Sequence, residues 1–236
     1  MTLRRAFYVP SADFAPGQII DLSREQTRST LHPFRGAFTK TLGGKLASSS
    51  LSSYCLALDP ACTRLTMLIV NGFDEPLADT YDLICSIYHS SDDFAASLAE
   101  VFPDLSAYAH YLEELQNRPG SVFLIAQQAA GLAGYLMLKP RPIERLSHGA
   151  DLNMGILPSY RGLGVGQRLL ERACSIASHE ERLEILYLMV RADNLGAMRL
   201  YEKTGFVQQA RLNHDTKIDG KYFDGILMSK DIKQFE

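Results

Sequence analysis

An arginine followed by three closely spaced glycines is the pattern in this sequence that most directly suggests chemistry. Gly162, Gly164 and Gly166 lie within five residues of Arg161. Because glycine has no Cβ, such a backbone can turn tightly and direct several N–H groups into one small concavity. Arg161 adds a full positive charge. The pattern therefore predicts a binding site for an anion of the size of a pyrophosphate.

Two regular elements must hold this turn in place. The residues that lead up to Leu157 indicate the end of a strand. After the turn, apolar residues recur at helical spacing, namely Val165, Leu169, Leu170, Ala173, Ile176 and Ala177. We therefore expect a helix from Val165 onward, whose free N–H groups and partial positive charge point at the same anion.

A second segment continues this alternation of strand and helix. The β-rich run 185–191 is followed by Asp193 and Asn194, which are preferred residues at a helix N-cap. Gly205 suits the left-handed position that ends a helix. The sequence thus predicts a strand and then a short helix that carries Tyr201.

Together the two segments resemble the GNAT superfamily of N-acetyltransferases. The family pattern R/Q-x-x-G-x-G/A, followed by N-x-x-A-x-x-x-Y-x-x-x-G-F, is matched from Arg161 to Gly166 and from Asn194 to Phe206. The resemblance implies an α/β (α+β) fold whose mixed central sheet contains two parallel strands that splay apart. It also implies acetyl-CoA as the co-substrate and no metal. The implied coenzyme-binding residues are Ile156 and Leu157, whose backbone would pair with the pantetheine arm, Arg161, Gly162, Leu163, Gly164, Val165 and Gly166 around the pyrophosphate, and Asn194 near the pantetheine.

The same resemblance makes Tyr201 the general acid. Acyl transfer from a thioester to an amine requires a neutral nucleophile, stabilisation of an oxyanion and a proton for the departing thiolate. A phenol with a pKa of about 10 is protonated at neutral pH and can donate that proton. The alternative is that Tyr201 is only a core aromatic residue of an amphipathic helix.

The base that deprotonates the amine is less clearly indicated. Asp151 is the leading candidate, with His148 and Glu144 as the others, all in or just before the strand that leads to the turn. Asp151 shares a strand face with Asn153 and could act directly or through water. An α-amine with a pKa of about 7.7 to 8.0 is already partly neutral, so a dedicated base is not required for every acceptor.

Composition restricts the class of protein. The 236 residues are 46% hydrophobic, which allows one sizeable domain and an extension. A net charge of −3 without a basic run argues against a nucleic-acid partner, and no apolar stretch is long enough to span a membrane. Arg4 and Arg5 are not followed by the apolar region of a secretory signal. The four cysteines, which show neither metal-ligand spacing nor a disulfide framework, are Cys55, Cys62, Cys85 and Cys174. We expect a cytoplasmic protein.

The order of the predicted elements also resembles a GNAT domain. We expect residues 1–63 to be an N-terminal extension and linker of unknown role, and residues 64–236 to be the acetyltransferase domain. Besides the elements above, the predicted strands are 65–70, 122–127, 132–138, 151–157, 206–212 and 222–228, and the predicted helices are 77–88 and 106–116. An Asp219-Gly220 turn lies in the loop between the last two strands.

The acceptor follows least directly from the sequence. Residues 217–224 resemble the ending of a GNAT branch that includes L-amino-acid, ribosomal-protein and polyamine acetyltransferases. We expect transfer to a primary amine of an amino acid or similar small molecule, with a protein N-terminus or lysine as the alternative. The edges of the last strands suggest a homodimer. Two other functions stay open: a non-catalytic acyl-CoA-binding module, and a dinucleotide-dependent oxidoreductase, although the spacing G-x-G-x-G departs from the dinucleotide pattern G-x-G-x-x-G.

Overall fold

The computed structural model describes residues 67–128 and 131–234. The strands in these ranges are β1 Leu68–Asn71, β2 Val122–Gln128, β3 Gly131–Pro140, β4 Gly149–Ile156, β5 Ile185–Arg191, β6 Val207–Ile218 and β7 Lys221–Asp231. The α-helices are α1 Leu77–His89, α2 Leu98–Val101, α3 Leu105–Gln116, α4 Val165–His179 and α5 Leu195–Lys203.

The described strands form one mixed sheet in the order β1-β2-β3-β4-β5-β7-β6. All neighbouring pairs are antiparallel except β4 and β5, which are parallel. Two parallel neighbours need a crossover connection, and here α4 supplies it. The predicted α/β fold with a mixed central sheet is confirmed.

Helices cover both faces of the sheet. We call the face that carries α1 and α3 the front, and the face that carries α4 and α5 the back. On the front, the buried residues of the two helices pack against Phe123, Ile125, Tyr135 and Met137. On the back, the predicted apolar stripe of α4 packs on the alternate residues of the same strands, with Leu169, Leu170, Ala173 and Ala177 fully buried. The strands β2 and β3 therefore contribute to a core on each side, and β4 contributes its apolar residues to the back core.

Most predicted elements are present with small shifts of their ends. The predicted loop between Leu212 and Tyr222 is wrong in extent, because β6 continues to Ile218 and only Asp219 and Gly220 form the turn. The short helix α2 was not predicted.

The N-terminal predictions lie outside the described residues. They include the extension 1–63, the boundary at residue 64, and the thiols of Cys55 and Cys62. Among the residues that are described, Cys85 and Cys174 are free thiols, and no helix is long and apolar enough to cross a membrane.

Candidate active site

The glycine-rich turn has the conformation that its sequence predicts. Gly162 and Gly164 have φ values of 74° and 81°, in the left-handed region that side chains rarely adopt. A Cβ at either position would meet no atom within 4 Å, so the backbone conformation alone requires these glycines. Gly166 serves another purpose, because a Cβ there would lie 2.7 Å from Leu200 Cδ2 and 2.9 Å from Ile156 Cδ1. It lets α4 approach α5 and β4 closely.

The turn presents a row of free backbone donors. The first backbone bond of α4 runs from the Arg168 N–H to the Gly164 carbonyl at 3.1 Å. Among the described residues, none accepts a hydrogen bond from the N–H groups of Gly162, Leu163, Gly164, Val165 or Gly166. Five unpaired amides at a helix N-terminus suit an anionic ligand. The residues present therefore fit the pyrophosphate of a coenzyme A molecule.

Arg161 lies beside these donors. Its Nε donates to the Ile156 carbonyl at 3.1 Å, and the side chain forms no ion pair with any described carboxylate. The guanidinium charge is therefore free to attract a phosphate while its position is fixed by β4.

A gap opens between the two parallel strands. β4 and β5 pair only from Gly149 with Ile185 to Asp151 with Tyr187, although β4 continues to Ile156 and β5 to Arg191. The predicted splay is therefore present. Its unpaired edges can bind an extended ligand as a strand would.

The direction of the backbone groups decides what β4 offers to this gap. The Leu157 N–H donates to the Ala133 carbonyl of β3 at 3.0 Å. Because these directions alternate along a strand, the groups of Ile156 and Met154 point away from β3 and into the gap. The Leu157 carbonyl accepts from the Tyr160 N–H at 2.9 Å. Ile156 therefore directs its N–H and its carbonyl into the gap, although Arg161 Nε already occupies one lone pair of that carbonyl, whereas Leu157 can offer only the second lone pair of its carbonyl.

Tyr201 lies on α5, which packs beside the gap. It follows Leu200, whose Cδ2 lies against Gly166 close to Ile156, so α5 packs beside the gap on the back of the sheet. Tyr201 is 8% exposed, and burial alone raises its pKa well above the usual value for tyrosine. The phenol therefore keeps its proton at neutral pH.

Asn194 caps the helix that carries Tyr201. Its Oδ1 accepts from the Ala197 N–H at 3.0 Å, which satisfies one of the free donors at the start of α5. This bond leaves the Asn194 Nδ2 group for a ligand. The predicted contact with the pantetheine stays a prediction.

Asp151 is engaged in another contact. Its Oδ1 accepts from Arg141 Nη2 at 2.8 Å and from Nε at 3.1 Å, and Arg141 lies 4.0 Å above the Tyr187 ring. Asp151 is in the paired part of β4, five residues before Ile156, which is about 16 Å along a strand. The structure thus brings together the turn, Arg161, Ile156 and Leu200 of α5, the helix that also carries Tyr201 and is capped by Asn194, but Asp151 lies at the closed end of the gap.

Sequence reasoning missed a contact on the front of the sheet. The Tyr135 hydroxyl donates to Asn153 Oδ1 at 2.7 Å. Burial of Tyr135 raises the pKa of its phenol well above the usual value. The alternation of β4 placed Asn153 beside Asp151 on one face, but nothing local in the sequence indicated Tyr135 as its partner.

Comparisons with known proteins agree with this geometry. The family model described as Acetyltransferase (GNAT) family matches residues 80–206, which is more than half of the chain. The chain belongs to the GNAT acetyltransferase family. It is therefore an acetyltransferase enzyme that uses acetyl-CoA, and the free amides of the glycine-rich turn fit that co-substrate.

Individual GNAT relatives have different acceptors in their names. The chain is 30% identical over 134 residues to the spermidine N(1)-acetyltransferase of Vibrio cholerae, covering 53% of this chain and 76% of the relative. It is 26% identical over 118 residues to the L-amino acid N-acetyltransferase AaaT of Escherichia coli, covering 50% and 73%. The crystal structure of a ribosomal-protein-alanine N-acetyltransferase from Brucella melitensis is similar with a TM-score of 0.60 and 26% identity, covering 70% of this chain and 99% of that one.

Proposed function

We propose that this enzyme transfers the acetyl group of acetyl-CoA to a primary amine by direct attack, and that Tyr201 protonates the departing thiolate. The observation that carries the proposal is the unpaired gap between β4 and β5, with the free amides of the turn and the helix α5, which carries the buried Tyr201, beside it. Bound acetyl-CoA supplies the acetyl thioester that the amine attacks. The residues of the chain bind and orient the co-substrate and protonate the departing thiolate.

The roles follow from the contacts. The amides from Gly162 to Gly166 and the Arg161 guanidinium bind the pyrophosphate, and the Ile156 and Leu157 backbone orients the arm. The Asn194 Nδ2 group is the proposed side-chain contact to the arm. Tyr201 holds its proton on the hydroxyl until negative charge develops on sulfur, and the same burial that raises the phenol pKa makes a thiolate more basic.

Asp151 remains our proposed base. Because Arg141 occupies Asp151 Oδ1 and Asp151 lies at the closed end of the gap, the other carboxylate oxygen would have to accept the proton through water. An acceptor whose amine is already partly neutral reduces the need for this step.

We propose as the first candidate acceptor a small amine such as an amino acid, because the Escherichia coli relative is named for L-amino acids. A protein amine is the second candidate, because the Brucella melitensis neighbour is named for a ribosomal protein.

We also propose that the acetyltransferase domain begins near residue 64, and that the enzyme is cytoplasmic. The exposed edge strand β6 supports a homodimer.

The test is the Tyr201→Phe variant, assayed by acetyl-CoA-dependent thiol release against amino acids, polyamines and N-terminal peptides. We expect kcat to fall about 100-fold or more, as for loss of a general acid, with acetyl-CoA affinity retained. Tyr108→Phe is the matched control, since Tyr108 is fully buried in the front core, away from the gap.

An unchanged kcat in Tyr201→Phe would remove Tyr201 from the mechanism. Tight binding of acetyl-CoA without thiol release toward any amine would favour the acyl-CoA-binding module instead.

A further inference from the structure

The proposed reaction needs a group that stabilises the negative charge on the thioester oxygen. Attack by the amine forms the C–N bond and moves an electron pair onto this oxygen. Return of the pair breaks the C–S bond, Tyr201 gives the thiolate its proton, and the proton that the nitrogen loses leaves through water to Asp151. Hydrogen-bond donors aimed at such an oxygen usually contribute most to the rate. The turn, Arg161 and Tyr201 have other roles, so none of them supplies this donor.

Asn153 lies on β4 where the gap begins. The last pair between β4 and β5 joins Asp151 to Tyr187, so Asn153 is the second residue of the unpaired part of β4. Met154 packs against the back core, which places its neighbour Asn153 on the front by alternation. Asn153 is exposed. Its side chain is therefore accessible to a molecule in the gap.

The position of the turn directs the acyl end of the co-substrate toward Asn153. The turn follows Ile156 along the chain, at the open end of the gap, so an arm that starts from a pyrophosphate there extends along β4 toward the closed end. Asn153 lies three residues before Ile156, which is about 10 Å along a strand. The N–H of Met154, which also points into the gap, is the adjacent backbone donor.

A buried hydrogen bond fixes the orientation of the Asn153 amide. Tyr135 is 1% exposed, and its hydroxyl donates to Asn153 Oδ1 at 2.7 Å. Because burial raises the pKa of this phenol, it keeps its proton and stays a donor at neutral pH. Among the described residues, none accepts a hydrogen bond from Asn153 Nδ2. The amide therefore offers a ligand its two N–H groups.

Gly155 makes room for this arrangement. A Cβ at Gly155 would lie 2.9 Å from Tyr135 Cε1 and 2.6 Å from Ile87 Cγ2, so the glycine lets the Tyr135 ring lie over β4 beside Asn153. Phe94 Cζ would lie 3.3 Å from the same Cβ. These side chains cover the front of β4 next to Asn153. Hydrogen bonds are stronger in such surroundings than in water.

The chemistry of the amide selects its ligand. An attacking amine must keep its lone pair free, so a donor aimed at the amine would hinder the attack. The thioester oxygen gains negative charge during the attack, so an N–H donor binds it more tightly as the reaction proceeds. We propose that Asn153 is a catalytic residue whose Nδ2 donates to the thioester oxygen, and that Tyr135 positions the amide. This inference rests on the proposed function and deepens it.

Kinetic measurements compare three variants with two matched controls. Asn153→Ala should lower kcat about 100-fold, as for loss of one such donor, and leave the Kd for acetyl-CoA largely unchanged. Asn153→Asp keeps the shape and still accepts from Tyr135, but it has no N–H and should be at least as slow. Tyr135→Phe should lower kcat about tenfold, because the amide can rotate. The controls are Asn117→Ala, at an exposed asparagine after α3, and Tyr108→Phe, in the front core.

A second readout does not depend on turnover. The infrared carbonyl band of bound acetyl-CoA, labelled with a heavy isotope at the thioester carbon, reports hydrogen bonds to the thioester oxygen. We expect this band to move to higher frequency in Asn153→Ala, to move part of the way in Tyr135→Phe, and to stay in place in Tyr108→Phe. A merely structural role of Tyr135 would not move the band.

The inference is wrong if the band is unchanged in Asn153→Ala, or if Asn153→Asp is as active as the wild type. If the band is unchanged but Tyr201→Phe still loses kcat, the proposed function stands without this donor. If the band moves as expected but no amine is acetylated, the contact between Asn153 and the thioester is confirmed and the failure lies with the proposed function.

Discussion

Replacement of Gly164 by alanine separates the binding role of the glycine-rich turn from its effect on stability. Gly164 has a φ of 81° and open space around a new Cβ, so the substitution introduces backbone strain without a clash. Left-handed backbone costs a non-glycine residue about 1 kcal/mol. In a domain of this size that loss lowers the thermal midpoint by about 2 to 4 °C.

The effect on coenzyme binding should be larger. If the free protein relaxes the strained turn, binding must restore it, and about 1 kcal/mol weakens the affinity about fivefold. Should one N–H turn away from the pyrophosphate as well, a hydrogen bond to a charged group is lost, which weakens affinity by about another tenfold. We therefore expect the Kd for acetyl-CoA to rise by about five- to fiftyfold.

Gly220→Ala provides the matched control. Gly220 has a φ of 82° and equally open surroundings, but it lies in the turn between β6 and β7. Titration calorimetry with acetyl-CoA and thermal unfolding should show similar losses of stability in the two variants and weaker binding only in Gly164→Ala. Equal losses of affinity, or an unchanged Kd in Gly164→Ala, would refute the assignment of the turn as the anion site.

Two further predictions concern stability. Gly134→Ala should destabilise the protein by about 1 to 3 kcal/mol in a denaturant titration, because the new Cβ would lie 2.7 Å from the Gly155 carbonyl oxygen. This oxygen belongs to the backbone and cannot rotate away, so a neutral effect would mean that β3 and β4 are farther apart. The Arg191 guanidinium holds the pKa of the Asp193 carboxyl below its usual range, so its stabilisation is complete above about pH 5 and is lost as the pH falls through the lowered pKa. The difference in thermal midpoint between the wild type and Asp193→Asn should therefore shrink from pH 5 to pH 3, and a difference that is constant with pH would contradict the ion pair.

The sequence predicted those parts of the fold and site that depend on local patterns. The glycine-rich turn, the stripe of α4 and the N-cap at Asn194 each depend on residues within a few positions of one another. Tyr201 could likewise be placed on a helix that ends before Gly205, because glycine suits the left-handed conformation after a helix; the φ of Gly205 is 90°.

Features that depend on distant contacts were not predicted. The Arg191 contact to the Asp92 carbonyl joins residues 99 positions apart, so it has no local signature in the sequence. Asp151 was predicted as a base because the sequence does not show that its carboxylate is paired. Its partner Arg141 lies ten positions earlier, directly after the neighbouring strand β3. The polar residues after Leu212 predicted a loop, but pairing with β7 extends the strand. The regular pairing of β6 with β7 is interrupted at His214, where φ is 55°. There the His214 N–H donates to Asp224 Oδ1 of β7 instead.

With the proposed coenzyme site, the incomplete pairing of β4 and β5 would link the lifetime of the folded protein to the supply of its co-substrate. The two strands share three residue pairs, so β1 to β4 and β5 to β7 form two half-sheets joined at one end. A pantetheine arm bound between them would act as a removable strand that completes the sheet. Because a ligand that binds only the folded state stabilises it by about 2.7 kcal/mol at 100 times its Kd, cells rich in acetyl-CoA would hold the two halves together. Cells depleted of it would leave the joint open to unfolding and proteolysis.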